Sequence, residues 1–143
     1  MEGGLSSDDL RGLAVDGYFG KVVERDMDGL MDNLASNAIM VIPPLGISFD
    51  GKPAVHRHFV EFLDSYSGIS IDEFESTADP ENGTVAVRFH IQLTSAADGT
   101  QTSLRNCNFF HCTVAGQIEK IVIYMSALPT EGFEAGARKF GEV

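Results

Sequence analysis

Four histidines, at positions 56, 58, 90 and 111, carry the chain's only side chains that ordinarily titrate near neutrality. As general acids or bases they would be the natural proton carriers. Two of them form a His-x-His pair, but Val55, Phe59, Phe62 and Leu63 around them repeat like a helix. Residues two apart on a helix point away from each other, so no metal pair is expected there. The two thiols, Cys107 and Cys112, lie five apart in one apparent strand. That spacing puts them on opposite faces, out of reach of a mutual disulfide, and they read as buried thiols of a reducing compartment. No Cys-x-x-Cys and no Cys/His set at ligand spacing occurs, so neither a metal nor another cofactor is expected. The phenol of Tyr18 has two readings: a hydrogen-bond donor to a substrate carbonyl or enolate, or a half-buried helix residue bonded to backbone.

Elements must carry these groups. Ser6 and Asp9 make a capping box that opens a helix over 6–24, with Leu10, Ala14, Tyr18 and Val22 on one face. Asp26 caps a short second helix in which Met27, Leu30, Met31 and Leu34 keep helical spacing. The rhythm then breaks into an apolar run, 38–42, which reads as a strand buried on both faces and stopped by Pro43 and Pro44. A short partner strand follows, and Gly51-Lys52-Pro53 opens a third helix, with Glu61 and Asp64 on its polar side. Beyond it the period becomes two. Segments 69–77, 84–94, 102–114 and 118–125 are strand-like, and the turn strings DPENG, AADGT and AGQ imply an antiparallel meander.

Alternation assigns faces. Val87, Phe89 and Ile91 point inward, which turns Arg88, His90 and Gln92 toward solvent or a dimer partner. Reading Phe109 as inward brings His111 with it and leaves Asn106 and Asn108 on the other face for cross-strand hydrogen bonds. Ile121, Ile123 and Met125 point inward on the last strand. The result is one α+β domain over 1–143, with a core at 8–126. A curved, mostly antiparallel sheet wraps three N-terminal helices as a cone-shaped barrel whose open end is a pocket. The tail, 127–143, has little periodicity and is a lid, an arm or a disordered segment.

A formal charge of −11 with ten scattered Lys and Arg excludes nucleic acid and anionic membrane as expected partners. No apolar run approaches the ~18 residues of a membrane span, and the N-terminus lacks the pattern of a signal peptide. A cytoplasmic protein is expected.

The order of elements, the stretch RDMDGLMDNLASNAIMVIPPLG followed by FDGKPAVHRHF, and the closing hairpin FFHCTVAGQIEKIVIYMS resemble the nuclear transport factor 2-like superfamily. The SnoaL-like and ketosteroid-isomerase-like branches are the nearest in pattern, over residues 10–126. The resemblance implies an apolar cone-shaped pocket and a homodimer packed through the outer sheet face. Its members include isomerases, polyketide cyclases, dehydratases, epoxide hydrolases and non-catalytic binding domains. Ketosteroid isomerases use a carboxylate base with an oxyanion hole of a Tyr and a protonated Asp. Counted from Asp26-x-Asp28-Gly29, the resemblance puts that Tyr on Tyr18, the base on Ile42 and the second acid near Phe109. The acid that SnoaL-like cyclases and limonene-type epoxide hydrolases tend to carry on the last strand is also missing here, and Ser126 stands where many relatives have Asp.

The same resemblance puts a pocket-lining aromatic at His58. This favours His58 over His56 as a general acid or base of near-neutral pKa, against the plainer reading of a rim histidine. The expected site is therefore Tyr18, His58 and His111 in a pocket lined by Met40, Ile42, Phe59, Phe62, Phe109, Ile123 and Met125. It would bind a small apolar molecule and promote cyclisation or isomerisation by shaping and hydrogen-bond polarisation. Holding a flexible chain in a reactive shape removes on the order of 7–11 kcal/mol of barrier in the best cases. The alternative is a ligand-binding or dimeric interaction domain that has lost the family's acids.

Overall fold

The computed structural model describes residues 4–129 and 131–141. Ser6 opens α1 (Ser7–Ala14) through the expected capping box. Its hydroxyl accepts from the Asp9 N–H at 3.0 Å, and the Asp9 carboxylate accepts from the Ser6 N–H at 2.9 Å. The helix then widens into a π-helical stretch, Val15–Gly20, and resumes as α2 (Lys21–Glu24). Arg25 ends it in the left-handed conformation, at φ 59°. Asp26 caps α3 (Met27–Asp32) by accepting from the Gly29 N–H at 3.0 Å.

β1 (Leu34–Ile42) and β2 (Ile47–Asp50) form a hairpin whose tip is the 3₁₀ turn Pro43–Leu45. β1 begins earlier than its apolar run because Leu34 already pairs with Ile118 of a distant strand. α4 (Lys52–Ser65) starts with Pro53 in its first turn, where a missing N–H costs nothing. The Arg25 guanidinium donates to the carbonyls of Leu63, at 2.7 Å, and Tyr66, at 2.5 Å, fastening the first helix to the end of α4.

The meander follows as β3 (Tyr66–Asp79), β4 (Thr84–Ser95), β5 (Gln101–Cys112) and β6 (Ile118–Tyr124). With β7 (Arg138–Lys139) the sheet has the order β3-β4-β5-β6-β1-β2-β7. Every pairing is antiparallel except β1 with β6. Register shifts between Leu34 and Ile39 and between Asp72 and Glu75 bend it. Its concave side closes over the helices as a cone-shaped α+β fold. No helix among the described residues is long and apolar enough to cross a membrane.

The tail is an arm packed on the fold. Gly132 and Gly136 take positive φ, and a Cβ at Gly136 would lie 2.6 Å from the Ala54 carbonyl oxygen. Glu61, read from sequence as solvated, accepts from the N–H groups of Glu134 and Ala135 at 2.7 and 2.8 Å. β7 adds to β2, and Arg138 Nε donates to Asp50 Oδ2 at 2.6 Å. This arm carries Phe133 to the mouth of the cone.

Candidate functional site

Inside the cone a cavity of about 50 Å³ is walled by Phe19, Val22, Phe59, Phe62, Ile71, Phe89, Ile91, Leu93, Leu104, Ile123, Met125 and Phe133. Four polar side chains reach it: Tyr18, His58, Asn106 and Asn108. No carboxylate and no cation is among its described lining residues. The space holds a few water molecules. A ring-sized ligand needs more room than this space offers with Met125 and Phe133 as placed.

Tyr18 owes its position to the π-helical widening. Neighbouring residues on an α-helix diverge by about 100°, yet Tyr18 and Phe19 are both buried, because the widened turn re-phases the face. Asn33 Nδ2 donates to the Gly17 carbonyl at 2.9 Å and satisfies an acceptor inside that irregular turn. The Tyr18 ring is held edge-on by Phe19, Phe59 and Phe110 at centroid distances of 4.9, 5.8 and 5.1 Å. Its hydroxyl has no hydrogen-bond partner among the described residues. Burial pushes its pKa upward, so the phenol stays protonated and remains a donor.

His58 is 2% exposed and wedged among Phe49, Phe59, Phe62 and Phe133, with ring centroids 4.5, 4.8, 5.9 and 5.2 Å away. His56, two residues earlier, is exposed. The expected near-neutral titration of His58 is overturned, since burial in this aromatic cage lowers its pKa to about 3. His58 is a neutral hydrogen-bonding group, and its Nδ1 has no partner among the described residues.

A stability profile follows from this burial. The unfolded chain protonates His58 near the ordinary value of about 6.5, the folded chain near 3. Between those values the unfolded state binds the extra proton. Stability therefore falls as pH drops through the window, at up to about 1.4 kcal/mol per pH unit. His58→Phe keeps the ring packing and is expected to remove about 2.3 kcal/mol of the loss between pH 6.5 and 4.5. Denaturant titrations of both proteins at the two pH values check this. Equal losses would mean that His58 is not buried in its neutral form.

β5 runs with the opposite parity to the one expected. Asn106 and Asn108 point into the cone and are buried, while Phe109 is 42% exposed and His111 lies half-buried on the outer face. Cross-strand pairing fixes this, because Asn108 sits opposite Val87 and Asn106 opposite Phe89, both of them inward residues of β4. Phe109 instead meets Tyr124 edge-on outside the sheet, with ring centroids 6.0 Å apart. Phe109 and His111 therefore leave the candidate site, and the two asparagines replace them. The signal lay upstream in Leu104 and Arg105, whose contrast sets the strand's faces. Met40 and Ile42 are fully buried, but in the solid core rather than the cavity wall. Phe59, Phe62, Ile123 and Met125 line the cavity as expected, and Phe133 was not foreseen.

On the outer face His90 bridges Asp72, at 2.8 Å from Nδ1, and Ser103, at 2.7 Å from Nε2, beside the Glu73–Arg105 pair at 3.0 Å. The connectivity is that of a nucleophilic triad. However, it lies on the open side of the sheet, where strand N–H groups serve the ladder rather than an oxyanion, and both imidazole nitrogens are already occupied. Asp72, Glu73 and His90 also cluster closely enough for a metal, but the same engagements make this a cross-strand tie.

A family model described as the SnoaL-like domain matches residues 15–121. Among solved structures, a Xanthomonas campestris pv. campestris protein assigned by name to the polyketide cyclases shares 21% identity at a TM-score of 0.74, with 82% of this chain and 90% of that chain covered. The epoxide hydrolase/cyclase-like enzyme SalBIII, named for pyran ring formation in the polyether salinomycin, shares 21% identity at a TM-score of 0.73, covering 83% and 92%. AusH from Aspergillus nidulans shares 13% identity at a TM-score of 0.74, covering 94% and 92%. No curated protein sequence matches. At these identities the likenesses establish the fold and leave the chemistry to the site.

Proposed function

The chain belongs to the SnoaL-like domain family, within the nuclear transport factor 2-like superfamily, and we propose that it is a cofactor-independent cytoplasmic enzyme that cyclises or isomerises a small, uncharged, mainly apolar molecule. One observation carries this reading. Tyr18 and His58, both without partners for the atoms named above, reach the same apolar cavity, from which carboxylates and cationic side chains are absent among the described lining residues. A carbonyl bound there accepts a hydrogen bond from the Tyr18 hydroxyl in surroundings of low polarity, where such a bond polarises far more than in water. Neutral His58 donates or accepts a second one, according to its tautomer. The apolar walls fold the rest of the substrate against the polarised group. Proton transfer by a carboxylate has no part in the scheme.

Native mass spectrometry of the protein as purified identifies a retained ligand. Turnover of that compound is then compared in wild type, Tyr18→Phe and His58→Phe. Unchanged turnover in both variants would remove the catalytic assignment. The narrowness of the cavity favours one other reading, a ligand-binding domain without chemistry. Retained ligand with no conversion by the wild-type protein is its signature.

The exposed Phe109–Tyr124 pair on the convex sheet supports a homodimer packed through that face. Phe109→Glu is expected to shift the chain to monomer in light scattering while leaving the fold intact. A wild-type chain that is already monomeric would contradict this.

A further inference from the structure

Asn106 and Asn108 occupy successive inward positions of β5, so their Cα atoms stand about 6.7 Å apart along one wall. Each has a side-chain oxygen that is buried and has no protein partner among the described residues. Their cross-strand neighbours, Phe89, Val87 and Ile123, are apolar and cannot supply one. A buried carbonyl left unpaired is unfavourable, so the partner must come from what enters the cavity, whether ligand or the water it displaces. Most buried asparagines are tied to backbone or to other side chains. Two in a row line one cavity and put two carboxamides along a single wall.

We infer that Asn106 and Asn108 select an uncharged ligand bearing hydroxyl groups, which both donate and accept, on an apolar body. Each carboxamide carries two N–H donors and one acceptor oxygen, and a hydroxyl, which both donates and accepts, can meet either end. The Tyr18 hydroxyl supplies a donor to the same cavity and takes a carbonyl or ether oxygen. A carboxylate, phosphate or ammonium would find no counter-charge among the described lining residues and would lose its hydration uncompensated. The inference rests on the cavity being the ligand site, but not on catalysis there.

Small probes test it on the full chain by calorimetry or ligand-observed NMR: resorcinol, phenol, toluene and benzoate at pH 7. The expected order is resorcinol and phenol ahead of toluene, with no binding of benzoate. Asn106→Leu and Asn108→Leu, which keep the branched shape and remove the polar atoms, are each expected to weaken resorcinol about tenfold, since a lost hydrogen bond in a desolvated site is felt at that scale. Toluene binds these variants as well as or better than wild type, and their melting temperatures stay level or rise. A merely structural asparagine would show the reverse, a lowered melting temperature and parallel loss of every probe. Toluene matching resorcinol in wild type, benzoate binding, or leucine variants that keep the hydroxyl preference would overturn the inference. Failure of all four probes would overturn it together with the pocket assignment. Preserved hydroxyl preference without turnover would leave it standing and count against the catalytic reading alone.

Discussion

Tyr18→Phe is expected to lower turnover about 10²–10³-fold, equivalent to about 2.7–4 kcal/mol of transition-state stabilisation, with the folding stability unchanged or raised. The pairing of those two outcomes is the informative part. The hydroxyl makes no hydrogen bond to any described residue, so its deletion breaks no native contact. The ring stays among Phe19, Phe59 and Phe110, and phenylalanine keeps that packing. A group that contributes nothing to the resting fold and much to the rate acts on the substrate. Its pKa, raised by burial, keeps it a donor rather than a phenolate. Turnover should therefore show no ionisation of Tyr18 across the neutral range. Denaturant titration and initial rates on the same preparations check the pair, and a large loss of stability would recast Tyr18 as a structural residue.

Phe110→Ala is expected to cost about 3–5 kcal/mol of folding stability, a drop of roughly 10–20 °C in melting temperature for a chain of this size. Phe110 is fully buried on the inner face of β5, paired across the sheet with Val85 on one side and Ile121 on the other. It meets Tyr18 and Phe19 edge-on at 5.1 and 5.6 Å. The same ring closes the core and backs the phenol, so truncation opens a cavity directly behind the proposed donor. Turnover should fall along with stability, because a donor displaced by even 1 Å loses much of its effect. Phe110→Leu, which keeps most of the volume, is expected to recover most of both. Thermal melts beside rates distinguish this residue from Tyr18, where only the rate moves.

Local chemistry announced much of this architecture. Ser6 with Asp9, Asp26 before its short helix, Pro53 in a first turn and the Gly-rich turn strings all appear in the structure where their side chains predict. Strand faces were readable wherever apolar and charged residues alternated, as in β4, and the inward set Ile121 and Ile123 on β6, with Met125 just beyond it, is also found. On β5 the adjacent phenylalanines 109 and 110 made either parity plausible, and choosing Phe109 as inward reversed the strand. The two asparagines then fell on the wrong side, although Leu104 beside Arg105 held the answer. Other features depend on distant contacts that no local pattern encodes. The π-helical turn at Tyr18 is supported by Asn33, the parallel pairing of β1 with β6 spans most of the chain, and the tail is anchored through backbone groups to Glu61 and Gly46. His58 was found by position, but its neutrality depends on Phe49, Phe59, Phe62 and Phe133 arriving from three separate segments.

Hydrogen-bond polarisation of a carbonyl inside the cone is the central claim, and infrared difference spectroscopy of bound cyclohexenone reads it without knowledge of the natural substrate. With carbonyl-labelled probe, the C=O stretch in the wild-type protein should lie below its position in an apolar solvent. In Tyr18→Phe it should move back toward that position while the probe stays bound. A bound carbonyl whose frequency is the same in both proteins, or matches the apolar solvent in the wild type, would contradict the account.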